Sequence, residues 1–230
     1  MSDSTAPPPN SDTNNKPFTV CVFCGASSGD SPRFLEAAES LAEVLHKSNY
    51  NLVYGGGTVG LMGTVSKTLV KLSGPEAVHG IIPRALIRFE QNGTPPPVGE
   101  FGRTTVVPDM HTRKGMMARE ADAFVALPGG FGTLEELMEI ITWNQLGIHA
   151  CPIVVYNVDG FWDGILEWAE KAVEKGFVKP SMRGVLVEAK TAEEVLEKIR
   201  TYKVVEGRLN LDWKVEGPEG KAEKRDGSDN

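Results

Sequence analysis

The fold class is decided by the segment FVALPGGFGTLEE, which runs from Phe124 to Glu136. Its first four residues are apolar and predict a short buried strand. Gly129, Gly130 and Gly132 follow, and the pattern then continues as a helix. Glycines ahead of a helix N-terminus leave backbone N–H groups open to a ligand, and the helix dipole adds positive charge there. The segment therefore predicts a strand, a phosphate-binding turn and a helix in succession.

The same alternation of strand and helix extends along the chain in both directions. Short β-branched runs predict strands at Thr19 to Phe23, Leu52 to Tyr54, Val78 to Ile82, Thr104 to Val107, Phe124 to Leu127 and Ile153 to Tyr156. Helical periodicity predicts helices at Pro32 to Lys47, Gly60 to Leu72, Arg113 to Glu120, Thr133 to Leu146, Trp162 to Glu174 and Ala192 to Tyr202. This order predicts an α/β fold, a Rossmann-like doubly wound parallel sheet with helices on both faces.

Length and composition restrict the possible functions. A chain of 230 residues suits one domain, which we place at residues 18–203. Residues 1–17 and most of residues 204–230 contain few apolar residues, so we expect them to be disordered. A net charge of −7 argues against nucleic acid as a partner. The sequence has no apolar run of ~18 residues and no secretory signal, so we expect a cytoplasmic protein that does not span a membrane.

Neither the cysteines nor the histidines have the spacing of a metal site. Cys21 and Cys24 form a C-x-x-C pattern, but both lie in the first predicted strand. Residues three apart in a strand point to opposite faces, so we expect buried structural thiols rather than a redox pair. The four histidines are scattered, and we expect no metal ligands among them.

Two further glycine-rich turns follow the first and second predicted strands. The first turn contains Ser27, and the second contains Gly55, Gly56, Gly57 and Gly60 in a G-x-G-x-x-G pattern. A dinucleotide site needs an acidic residue after the next strand, but here that strand runs into Pro83 and Arg84. This argues against NAD binding, although an NAD-linked oxidoreductase stays an alternative. No turn ends in Gly-Lys-Ser or Gly-Lys-Thr, so a P-loop is absent. We therefore expect a mononucleotide whose phosphate lies near Ser27, Gly56 and Gly57.

Two interpretations of Glu136 remain open. Thr133 and Glu136 have the spacing of a capping box, a purely structural device that needs no function. However, Glu136 shares a second, largely apolar stripe with Ile140 and Trp143, so the helix is covered on two faces. On that interpretation Glu136 borders a pocket or a subunit interface.

Arg113 and Lys114 also allow two interpretations. We predict that they open a helix, where cations are electrostatically disfavoured unless an anionic ligand or a carboxylate is near. Alternatively, both side chains extend into solvent.

Together, Gly55 to Gly57, the Arg113–Lys114 pair and P-G-G-x-G-T-x-x-E at residues 128–136 resemble the LONELY GUY family of cytokinin riboside 5′-monophosphate phosphoribohydrolases. The resemblance covers about Val20 to Tyr202. It implies a homodimer without metal or cofactor that releases the free base and ribose 5-phosphate from an N6-modified AMP. It implies Arg113 and Glu136 as catalytic residues. It also implies ligand contacts at Glu90, Lys114, Gly129, Gly130, Phe131, Gly132, Thr133 and Thr142.

The resemblance suggests a mechanism. Breaking a ribosyl C1′–N bond builds positive charge on the sugar, which a fixed carboxylate stabilises. We expect the helix N-terminus to favour the ionised form of Glu136, so that it faces the ribose and a water molecule. A non-catalytic nucleotide or cofactor carrier is the alternative, and it would need no such pair.

Overall fold

The computed structural model describes residues 16–90, 93–209, 211 and 213, without the side chains of Phe89 and Glu90. Within these residues, one sheet contains seven strands in the order β4-β3-β2-β1-β5-β6-β7, and every paired strand is parallel. The strands are β1 (Thr19–Phe23), β2 (Asn51–Tyr54), β3 (Val78–Pro83), β4 (Arg103–Val107), β5 (Ala123–Ala126), β6 (Ile153–Tyr156) and β7 (Leu186–Ala189).

Helices cover both faces of this sheet. They are α1 (Pro32–Lys47), α2 (Gly60–Ser73), α3 (Arg84–Glu90), α4 (Val98–Phe101), α5 (Met110–Glu120), α6 (Phe131–Gln145), α7 (Asp163–Glu174) and α8 (Ala192–Thr201). The apolar residues of α1, α2 and α8 form one buried cluster with the sheet, and those of α5 and α6 form a second. The predicted doubly wound architecture is confirmed. No helix of the described ranges is long and apolar enough to cross a bilayer.

The strands β1, β5 and β6 are fully buried because they lie between the two helical layers. Cys24 belongs to the first buried cluster and Cys21 to the second. Both are buried free thiols on opposite faces, as the strand geometry predicts. Burial raises the pKa of each thiol well above its usual range.

Three elements were absent from the sequence prediction. The edge strand β7 is only partly buried and contains Glu188, so it lacks the continuous apolar run of a central strand. The helices α3 and α4 have seven and four residues, too few to show a clear helical period.

Two predicted helix starts were wrong. α5 begins at Met110, because the Asp109 side chain accepts a hydrogen bond from the Thr112 backbone N–H at 2.7 Å and caps the helix. Arg113 and Lys114 therefore lie in its second turn and do not open it. α6 begins at Phe131 after an N-cap at Gly130.

The strand order reverses direction between β1 and β5. In open α/β sheets, ligands bind beyond the carboxyl ends of the strands at such a switch point. The β1–α1 and β5–α6 turns meet there, and the Gly25 N–H donates to the Pro128 carbonyl oxygen at 3.0 Å. The topology therefore brings two of the predicted glycine turns together.

The chain continues in an ordered path past the predicted domain boundary at residue 203. Arg208 donates to the carbonyl oxygens of Asn144 and His149, and Leu209 N–H donates to that of Gln145. These contacts satisfy carbonyl groups at and just beyond the C-terminal end of α6. Most of the two predicted disordered extensions, residues 1–15 and 214–230, lies outside the described residues.

Candidate active site

Arg113 and Glu136 form a buried ion pair above the carboxyl end of the sheet. Arg113 is 7% exposed and Glu136 is 6% exposed, and Arg113 Nη1 lies 2.9 Å from Glu136 Oε1. Arg113 Nε donates to the Ile81 carbonyl oxygen at 3.2 Å, and Nη2 donates to that of Gly55 at 3.4 Å. Arg113 therefore connects α6 to the end of β2 and to the interior of β3. Its burial excludes the interpretation that it extends into solvent.

The carboxylate of Glu136 is incompletely satisfied. Nη1 of Arg113 is close enough for an ion pair, but Oε1 has no hydrogen-bond partner among the described residues. Among these residues, the carboxylate is compensated by the charge of Arg113 alone and can still accept hydrogen bonds. A carboxylate that binds a ligand or a water molecule is expected to have an oxygen without a hydrogen bond when neither is present.

The capping-box interpretation of Glu136 is wrong. Because Gly130 is the N-cap, Thr133 is the third residue of α6 and Glu136 is the sixth. Glu136 therefore lies beyond the first turn, where the dipole effect is weak. Burial raises the pKa of Glu136, the nearby Arg113 lowers it, and the net shift is upward. The expectation that the helix N-terminus favours the ionised form is thus also wrong.

Lys114 is buried as well, and it also pairs with carboxylates of α6. Its ammonium donates to Glu135 Oε1 at 2.6 Å and to Glu139 Oε1 at 3.1 Å. Burial lowers the pKa of Lys114, but these two hydrogen bonds outweigh burial and raise it overall. Two adjacent cations of α5 therefore pair with three carboxylates of α6: Arg113 with Glu136, and Lys114 with the other two.

A cavity of about 450 Å³ lies at the switch point between β1 and β5. Pockets for small molecules commonly have volumes of ~300–1,000 Å³. The walls are the two turns that contain Ser27, Gly129 and Gly130, together with the rings of Phe34 and Phe161. The backbones of Gly25 and Gly129 are in contact where the two turns meet.

The other predicted ligand residues have different surroundings. Phe131 is 94% exposed at the first position of α6, Gly132 is exposed, and Thr133 is buried beside Gly129. Thr142 is exposed on α6, where its hydroxyl donates to the Met138 carbonyl oxygen. The side chain of Glu90 lies outside the described residues.

Gly56 and Gly57 are buried beneath the site and do not line the cavity. Gly56 has a φ of 75°, and a side chain there would meet Ile82. Gly60 packs so closely against the Ala26–Ser27 backbone that any side chain would collide with it. The G-x-G-x-x-G pattern therefore has a packing explanation here.

Comparison with known proteins identifies the family. A family model described as possible lysine decarboxylase matches residues 62–199. The chain is 46% identical over 206 residues to cytokinin riboside 5′-monophosphate phosphoribohydrolase LOG5 of Arabidopsis thaliana, covering 87% of each chain. It belongs to the LONELY GUY family.

Other members differ in length. A probable cytokinin riboside 5′-monophosphate phosphoribohydrolase of Oryza sativa, LOGL3, is 46% identical, with 85% of this chain and 90% of the rice protein covered. A bifunctional cytokinin biosynthesis protein of Fusarium pseudograminearum is also 46% identical, but only 43% of its length is covered. The family domain therefore occurs both as nearly the whole protein and as part of a longer one.

Solved structures with the same fold include proteins of another class. A molybdenum cofactor binding protein from Rippkaea orientalis superposes with a TM-score of 0.59 at 18% identity, covering 81% of this chain and 98% of that one. A Moco carrier protein from Chlamydomonas reinhardtii gives a TM-score of 0.58 at 15% identity, covering 80% and 96%. At such identities the likeness extends to the fold alone.

Sequence reasoning for this LONELY GUY member missed Glu135 and Glu139. They stand four residues apart on one helix face, where two like charges repel unless a cation lies between them. That spacing was the available signal for a buried partner such as Lys114. For the cavity-lining Phe34 and Phe161, which lie far apart in the sequence, we find no corresponding signal.

Proposed function

We propose that this protein hydrolyses the N-glycosidic bond of cytokinin riboside 5′-monophosphates, which releases the free N6-modified base and ribose 5-phosphate. The observation that supports this most strongly is the buried Arg113–Glu136 pair, in which one carboxylate oxygen has no hydrogen-bond partner. The activity named for relatives that are 46% identical over most of the chain points to the same reaction.

In the proposed reaction, the bond between C1′ and the base nitrogen breaks, and the oxygen of a water molecule bonds to C1′. One proton of that water leaves with the base. Positive charge develops on the ribose in the transition state, and ionised Glu136 stabilises it. The raised pKa of Glu136 also makes it a better proton acceptor from the attacking water.

Arg113 and the glycine turns have complementary roles in this proposal. The guanidinium holds the Glu136 carboxylate in place and offers positive charge to the substrate. Backbone N–H groups of the Gly129–Gly132 turn, at the N-terminus of a 15-residue helix, bind the 5′-phosphate. The proposal includes no metal or redox cofactor, and nucleic acid is not a substrate.

We also propose a homodimer that acts in the cytoplasm. Thr142 lies six residues beyond Glu136, about 9 Å along the helix axis, on the exposed face of α6. It borders an apolar groove of about 270 Å³ between α6 and α7, which we propose as the subunit interface. In the dimer, Thr142 therefore makes its predicted ligand contact in the active site of the second subunit. Ile140 does not support this interface, because it packs inside the subunit's own core. Three free cysteines suit a reducing compartment.

The decisive experiment supplies the purified protein with three compounds: isopentenyladenosine 5′-monophosphate, AMP and the nucleoside isopentenyladenosine. We expect free base from the modified monophosphate and none from the nucleoside, because the phosphate provides much of the binding. Base release from the nucleoside alone would contradict the phosphate site. Tight binding of the monophosphate without base release would instead support a carrier.

A further inference from the structure

Lys114 pairs with two carboxylates of α6, and its charge also acts on a third, that of Glu136. Its ammonium contacts Glu135 and Glu139, one turn apart, while Glu136 between them is paired with Arg113. The Lys114 side chain is only 10% exposed, so its charge needs an anionic partner nearby. The choice of that partner decides how Glu136 is satisfied.

The two partners of Lys114 are not equivalent. The Glu139 side chain is 23% exposed and the Glu135 side chain is 53% exposed. Charge pairs near water are screened and contribute little, whereas less exposed pairs interact more strongly. We therefore expect Glu139 to contribute more than Glu135 to holding the ammonium, although its distance to Lys114 is longer.

We propose that Glu139 is a positioning residue, which keeps Lys114 away from Glu136 and so leaves one Glu136 oxygen free for the ribose and the attacking water. This inference rests on the proposed function. It assigns a role to a residue that does not itself touch the substrate.

Removal of the Glu139 charge has a definite electrostatic consequence. Lys114 then retains a single carboxylate partner, Glu135, which is half exposed, so we expect its ammonium to be drawn towards Glu136. Lys114 already lowers the pKa of Glu136, and the carboxylates of Glu135 and Glu139 both raise it, Glu135 by more. Both changes therefore act in the same direction, and the pKa of Glu136 falls. The charged and titratable groups that face Glu136 from β1, α5 and α6 are Cys21, Cys24, Arg113, Lys114, Glu135 and Glu139.

The test is a carbon-13 NMR titration of the Glu136 side-chain carboxyl in the full-length protein, with its signal assigned by its loss in Glu136→Gln. Wild type, Glu139→Gln and the matched control Glu135→Gln are titrated. We expect the Glu136 midpoint to fall by about one pH unit in Glu139→Gln, which corresponds to a tenfold change in proton affinity. In Glu135→Gln the direct effect of a carboxylate is also lost, but Lys114 keeps the less exposed Glu139 as its partner, so we expect a smaller shift.

Turnover gives a second measurement. In Glu139→Gln, kcat for the modified monophosphate falls by about tenfold, less than the ~100-fold expected for a group that acts on the transition state directly. KM changes less than kcat, and the acid side of the rate profile moves to lower pH. If Glu139→Gln fails to fold, Glu139→Asp retains the charge at a greater distance, and we expect a smaller shift in the same direction.

Equal midpoints in Glu139→Gln and Glu135→Gln would overturn the inference, as would an unchanged midpoint in both. Absence of base release by the wild type would instead contradict the proposed function. The NMR titration reads the position of Lys114 independently of turnover, so the two failures are distinguishable.

Discussion

The two ends of the sheet carry buried polar clusters that differ in how completely their atoms are satisfied. At the amino end, the His79 ring lies 2.8 Å from Glu120 Oε2 on one side and 2.8 Å from Thr105 Oγ1 on the other. Both ring nitrogens therefore have partners. At the carboxyl end, Glu136 is more deeply buried than Glu120, yet its Oε1 has no hydrogen bond within the described part of the chain.

This difference separates a structural role from a chemical one. A satisfied cluster such as that of His79 connects β3, β4 and α5 without a remaining energetic penalty. A buried carboxylate that is held by an ion pair alone can still accept hydrogen bonds, which a ligand or a water molecule can supply. We therefore expect substitutions at the carboxyl end to affect turnover, and substitutions at the amino end to affect stability.

The largest effect is expected for Glu136→Gln. The amide keeps the shape but not the charge, so base release should fall by ~100-fold or more, while the thermal midpoint shows that the fold is intact. Glu120→Gln is the matched control at the amino end, and its turnover should equal that of wild type. Near-normal base release by Glu136→Gln would remove Glu136 from the mechanism.

Arg113→Ala should reduce turnover to a similar extent and also destabilise the fold. Loss of the guanidinium leaves Glu136 buried without a cation and frees the carbonyl oxygens of Gly55 and Ile81. Breaking a buried ion pair in this way costs ~3–5 kcal/mol. Denaturant unfolding and base-release assays measure the two effects, with the exposed Arg119→Ala on the same helix as control. Unchanged hydrolysis would leave Arg113 with a structural role only.

A smaller effect is expected for Gly129→Ala. Its added methyl group would collide with the Thr133 side chain and come within 2.9 Å of the Gly25 backbone nitrogen, which moves the phosphate turn. Loss of one hydrogen bond to a charged phosphate is worth ~1.5 kcal/mol or more, so KM should rise about tenfold. Gly164→Ala is the control, because its methyl group meets nothing within 4 Å. An unchanged KM would place the phosphate elsewhere.

The smallest effect on turnover is expected for His79→Ala. Glu120 and Thr105 lose their shared partner, and the free energy of unfolding should fall by ~1–3 kcal/mol. Values of kcat and KM for the modified monophosphate should stay within about twofold of wild type at a temperature where the variant is folded. A large fall in kcat there would show that the two ends are coupled.

The central architecture was predictable because its signals are local. Apolar runs such as Ile153 to Tyr156, followed by segments of helical period, gave the parallel order, and the glycine turns marked the carboxyl edge. The partly buried edge strand β7 has no such run and was missed. The start of α5 was missed because Met110, which follows the cap at Asp109, is succeeded by four polar residues rather than by an apolar stripe.

The site was only partly predictable because it depends on how two helices face each other. The family resemblance brought Arg113 and Glu136 together, and the structure confirms that they are neighbours. The rotation of α5 against α6, which places Lys114 between Glu135 and Glu139, leaves no trace in the periodicity of either helix. The pKa of Glu136 likewise depends on its burial by several elements. The sequence prediction considered only the N-terminus of α6, so it expected a lowered pKa where the structure raises it.

The contacts of Arg113 limit how this domain can be redesigned. A protein engineer seeking thermostability would replace a buried ion pair with apolar residues of similar volume, a change that often gains 1–4 kcal/mol. Here the same guanidinium also holds the end of β2 through Gly55 and the interior of β3 through Ile81, so the exchange would loosen three elements at once. Stabilising changes therefore have to be made elsewhere in the molecule.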